Sequence, residues 1–155
     1  MDIRTECIVH PVRVPISIKT VQPPPPAMRF HSARRSVTSH YHRHLLNIKL
    51  IGLEALPVFS DVTLHIPGLD GNQPLMGKLT LCRPLPERRF QMQISICDPD
   101  EAQRARMIEQ ACHIHAYQVA EMARGHHLAL EQAAKEWIER FAAHFPALIL
   151  PTTES

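Results

Sequence analysis

Three histidines stand at alternate positions, His40, His42 and His44, around Tyr41 and Arg43. In an extended segment this spacing turns three imidazoles to one side, and three imidazoles can hold zinc. No carboxylate or cysteine lies near them in sequence, and Arg43 opposes a cation, so a solvated basic loop is the plainer expectation. No metal is assigned. His113 and His115 are two apart and point to different faces of a helix. His126 and His127 follow a helix end, where positive charge suits the dipole. No G-x-S-x-G, paired-acid motif, Gly-rich phosphate loop or activated cysteine is present. The sequence makes no case for an enzyme. One short motif does offer recognition chemistry. In Asn47-Ile48-Lys49-Leu50-Ile51-Gly52, Asn47 carries a donor and an acceptor suited to a base edge, and Gly52 permits a bulge or close backbone approach.

The elements that position these residues fall into three regions. Val12, Val14, Ile16 and Ile18 alternate with polar residues, which predicts a strand over Val12–Val21. The run Pro23–Pro26 and the basic stretch His31–His44 follow, and residues 23–43 read as a long connection. Strands are then expected at Leu45–Leu53, Asp61–Ile66, Met76–Cys82 and Arg89–Cys97, separated by Gly68, Asp70-Gly71, Pro74, Pro84 and Pro86. The third region is helical. Asp98 is a natural N-cap, with Pro99 at N1 and Glu101 at N3 as its reciprocal partner. Ile108, Ala111, Cys112, His115, Val119 and Met122 form a stripe, and Gly125 is a plausible C′ residue. A second helix is expected from about Ala129 to His144, with Leu130, Ala133, Ala134, Trp137, Ile138, Phe141 and Phe145 on its apolar face.

The totals set the frame. A chain of 155 residues, 45% hydrophobic and 21% charged, suits one core. Net charge +2 argues against a nucleic-acid polymer as partner. Cys7, Cys82, Cys97 and Cys112 form no C-x-x-C pair and read as thiols in a reducing compartment. Met1–Glu6 has no apolar run behind it, and no segment is long enough to span a bilayer, so the cytoplasm is the expected address.

The order of elements, with N-x-K-x-x-G at Asn47–Gly52 and the helical segments Arg104–Tyr117 and Ala133–Pro146, resembles the PilZ family. The similarity runs from about Ile8 to Pro146 outside the basic insert. It is nearest to PilZ proteins with a C-terminal helical extension. The resemblance implies a mainly β fold with C-terminal α: a six-stranded antiparallel β barrel over 1–98, with an insert at about 22–44, followed by two helices over 99–150. It also implies binding of cyclic di-GMP through R-x-x-x-R before the first strand and D/N-x-S-x-x-G on the next.

Asn47 and Gly52 match the second motif, with Lys49 where serine is expected. Arg4 stands for one arginine of the first, Val9 takes the place of the last, and Gln93 replaces a common barrel glycine. Each missing charge-assisted bond is worth about 1.5–3 kcal/mol. Two of them amount to roughly a hundredfold or more in affinity. The expectation is therefore a regulatory module in cyclic di-GMP signalling with weak or lost nucleotide binding. It would act by protein contacts or as a homo-oligomer, with Trp137 and Phe141 as natural anchors. Two alternatives stand beside it. One is a working receptor using Arg4, Asn47, Lys49 and Gly52, helped by Arg34 or Arg35. The other is a metal-dependent enzyme on the histidine loop.

Overall fold

The computed structural model describes residues 6–21 and 45–145. Its strands are β1 (Glu6–Val9), β2 (Ser17–Thr20), β3 (Leu46–Gly52), β4 (Asp61–His65), β5 (Leu75–Leu85) and β6 (Arg89–Ile96). They form one sheet in the order β1-β3-β6-β5-β4-β2. Two helices follow, α1 (Pro99–Ala123) and α2 (Leu130–Phe141), and a 3₁₀ turn covers Ala142–His144.

The expected antiparallel barrel is corrected in two respects. β1 runs parallel to β3, so the sheet is mixed. Among the described residues the edge strands β1 and β2 do not pair with each other, so the sheet is not closed. The residues of β1 read in the sequence as a segment preceding the first strand. Four residues are too few to show alternation, and the strand pairs because a hydrophobic neighbour, Ile48, lies opposite Ile8. The strand expected over Val12–Val21 shrinks to Ser17–Thr20. Pro11 and Pro15 bracket a turn in which Val14 N donates to Pro11 O at 3.1 Å, and proline supplies no ladder donor. Val12 is consequently 81% exposed.

β5 continues past its expected end at Cys82 because Pro84 lies opposite Phe90 of β6. The pairing of β4 with β5 ends at Lys78, so the proline nitrogen faces an unpaired edge, where a missing N–H costs little. Glu87 and Arg88 close the β5–β6 hairpin with φ of 66° and 57°. The ladder closes at Leu85 and Arg89, so two of the three loop residues take left-handed φ without glycine. Gly77 of β5 is required sterically: a Cβ there would meet Ile94 Cγ2 at 2.5 Å and Ser95 O at 3.0 Å.

The core side of the sheet carries Ile8, Leu46, Ile48, Leu50, Val62, Leu64, Leu75, Leu79, Met92, Ile94 and Ile96. Ala102, Ala105, Ile108 and Cys112 of α1 join the same cluster, so the change from strands to helices at residue 98 is no break in packing. Asp98 caps α1 as expected, its Oδ2 accepting from Glu101 N at 2.9 Å. Glu101 does not reciprocate. Its Oε2 accepts from Met76 N at 2.7 Å and ties the helix to β5. Arg104 donates to Asp70 O at 3.1 Å and to Gln73 O, fixing the β4–β5 connection on the same side. At the other end, Gly125 has φ 93°; Gly125 N donates to Met122 O and His126 N to Glu121 O, a Schellman closure.

The expected stripe of α1 holds only through Cys112. Val119 and Met122 are exposed, because the second half of the helix turns another face, His113 and Tyr117, to α2. Trp137 is 4% exposed, with Phe145 at 5.4 Å and His113 and Phe141 at 6.2 Å between ring centroids. Tyr117 OH donates to Glu136 Oε1 at 2.8 Å.

Candidate functional site

The strand registers assemble the sequence motif into rows on the sheet face turned away from the core. Cys7, Asn47, Ser95 and Lys78 form one row; Val9, Lys49, Gln93 and Leu81 form the next; Ile51, Gln91 and Arg83 form a third. Asn47 and Lys49 therefore do share one face, with Val9 directly beside Lys49. Ser95 Oγ donates to Asn47 Oδ1 at 2.6 Å, and the two hydroxyls of Ser95 and Thr80 lie 3.1 Å apart. The acceptor that would read a base edge is thus already engaged by Ser95. Lys49 and Lys78 stand diagonally on this face, and Lys78 Nζ lies 4.0 Å from Asp61 Oδ1 of β4. Gly52 sits in β3 beside Met92, whose Cε would be 3.0 Å from an added Cβ, so the glycine gives room to a flexible core side chain.

Arg4, Arg34, Arg35, His40, His42 and His44 lie outside the described residues. A surface groove of about 290 Å³ is lined by Ser17, Lys19, Thr63, His65, Asn72 and Pro74, at the β2–β4 edge of the sheet. Neither Asn47 nor Lys49 lines it. Trp137, expected as a partner anchor, is spent on the chain's own helix pair, and Phe141 is half-buried against it. The exposed apolar side chains of the helices are instead Met107, Val119, Met122, Leu130 and Ile138. The β3–β4 loop adds Leu53, Val58 and Phe59, the last exposed at φ 73°.

A second cluster, which the sequence motifs do not reveal, lies between β1 and α1. Arg106, Glu109 and His113 occupy one helix face at spacings of three and four. Arg106 pairs with Glu6, Glu109 Oε2 lies 2.7 Å from His10 Nδ1, and His113 Nε2 donates to Val9 O at 3.0 Å. His10 Nε2 lies 2.7 Å from Val14 O. A carbonyl only accepts, so Nε2 carries a proton, and the bond to Glu109 holds a second.

Glu109 is fully buried and His10 is 4% exposed. Burial pulls the His10 imidazole down, but the bond to Glu109, its charge and the Val14 carbonyl outweigh it and raise the pKa. Burial lowers His113, and His10 adds to this, while Glu109 and the Val9 carbonyl oppose them. Cys112, one turn beyond Glu109, has its thiol pushed far up by burial and by the Glu109 charge. Glu109 Oε1 is buried with no partner. The sequence did carry one signal for this cluster: Glu109 continues the buried series Ala102, Ala105 and Cys112, where a carboxylate is out of place.

No family model matches this chain, and neither a curated protein nor a solved structure resembles it significantly.

Proposed function

We propose that the protein is a regulatory binding module of the PilZ type whose cyclic di-GMP site has been weakened, and that it works through contacts with another protein. One observation supports this reading above the others. Asn47 and Lys49 stand together on the outer sheet face, but the neighbouring strand presents Val9 beside them, an isopropyl group where a guanidinium would pair with phosphate. Ser95 occupies the Asn47 acceptor. The two lysines of this face supply point charges without bidentate geometry. Exposed Leu53, Val58 and Phe59 favour the protein-contact half, since one loop turns three large apolar side chains to solvent.

Calorimetric titration of the full chain with cyclic di-GMP tests the reading. The native protein should show no sub-micromolar binding, and Val9→Arg with Lys49→Ser should gain tenfold or more in affinity. Sub-micromolar binding by the native chain, abolished by Asn47→Ala, would instead establish the working receptor, whose supporting observation is the Lys49 and Lys78 pair.

A further inference from the structure

We infer that His10, Glu109 and Cys112 form a buried site for one divalent cation of the zinc type. A ring nitrogen of His10, a carboxylate oxygen of Glu109 and Cys112 Sγ lie within 4.8 Å of one another, and all three residues are buried. Imidazole, carboxylate and thiolate are the three side-chain donors that zinc takes. The second carboxylate oxygen, Glu109 Oε1, is buried without a partner, so nothing in the apo cluster compensates it. A histidine ligand usually donates its other N–H to a carbonyl or carboxylate, which fixes the ring. His10 already does this through Nε2 to Val14 O, leaving Nδ1 turned to Glu109.

The fit needs side-chain movement, since the donors lie within 4.8 Å of one another and must come to tetrahedral spacing. Bonds of about 2.1 Å in a tetrahedron set donors roughly 3.4 Å apart. The 2.7 Å separation of Nδ1 and Oε2 then opens by roughly 0.7 Å, a side-chain adjustment.

Charge selects the ion. Without metal, the cluster holds imidazolium, carboxylate and thiol, which sum to zero. Binding one M²⁺ releases the proton of the His10–Glu109 bond and the thiol proton of Cys112 to solvent. Imidazole, carboxylate, thiolate and M²⁺ again sum to zero. A monovalent ion displacing the same two protons would leave a net buried charge, which a low-dielectric interior penalises. No redox change is involved. The thiolate favours zinc or cobalt over magnesium or calcium, which prefer all-oxygen sites.

Cobalt is the probe, and the full chain should be refolded from denaturant in its presence, since the donors are buried. The expected result is one Co²⁺ per chain, with the near-ultraviolet thiolate-to-cobalt charge-transfer band and the visible bands of tetrahedral geometry, both displaced by Zn²⁺. Cys112→Ser should remove the charge-transfer band while the far-ultraviolet circular dichroism stays native, and Glu109→Gln should weaken binding tenfold or more. If Cys112→Ser does not fold, Cys112→Ala and His10→Asn serve the same purpose. Absence of the charge-transfer band in the native chain, or its survival in folded Cys112 variants, overturns the assignment; the latter would place the ion on another cysteine.

Discussion

Replacing Glu109 by methionine keeps the volume of a buried side chain and leaves His10 with a proton and no partner. His10 is 4% exposed and Glu109 fully buried, so the imidazole has almost no water to fall back on. Breaking a buried pair from one side costs about 3–5 kcal/mol, whereas replacing both members with apolar groups is near neutral or stabilising. Against a total stability of about 5–15 kcal/mol, the single substitution brings the chain close to unfolding. With a urea slope of about 2 kcal/mol/M, the midpoint should fall by roughly 1.5–2.5 M.

Trp137 is the sole tryptophan and is buried, so its emission reports the transition directly. The experiment is equilibrium urea unfolding in a chelating buffer for the native chain, Glu109→Met, His10→Leu and the double variant. The double variant should recover most of what either single variant loses. If Glu109→Met shifts the midpoint by less than about 0.5 M at unchanged slope, the two side chains are not coupled as a buried electrostatic pair. Losses that simply add would refute the coupling equally.

Three further outcomes are expected. Gly77→Ala should cost about 1–3 kcal/mol by overpacking, because the new methyl meets Ile94 and the Ser95 carbonyl; thermal unfolding measures it. Glu87→Asn with Arg88→Gly should raise the melting temperature by roughly 2–4 °C, since each residue now occupies the left-handed region at a steric cost. Asp70 accepts from Ile66 N, Asn72 N and His65 Nδ1, and these bonds, outweighing burial, hold its pKa below the ordinary 3.8. Because the folded-state value is the lower one, the stability it confers is present above 3.8 and is lost as pH falls through the folded value. Native and Asp70→Asn proteins should therefore differ in melting temperature at neutral pH and converge in acid.

The features legible in the sequence are local ones. The α1 cap at Asp98-Pro99 and the Gly125 stop are decided within a few residues, and both stand in the structure. β3 and β6 show period two because one face is core and the other wet, so the pattern gives their limits to within a residue. The direction of β1, its pairing with β3 and the open edges depend on distant partners and leave no local trace. The same holds for Glu101, whose reciprocal cap is displaced by the Met76 amide. The Asn47 and Lys49 face follows from alternation once register is known. The His10 cluster does not, since its members are joined across 99 positions of chain.

That separation has a consequence for biosynthesis. Among the described residues β1 pairs only with β3, in parallel; His113 bonds its Val9 carbonyl, and Glu109 bonds His10 just beyond it. At about 5–20 residues per second, a ribosome takes roughly 5–20 s to advance the 99 positions from His10 to Glu109. β1 leaves the exit tunnel before β3 and α1, so it docks only after they emerge. Until then Ile8 and Cys7 lack the neighbours that bury them.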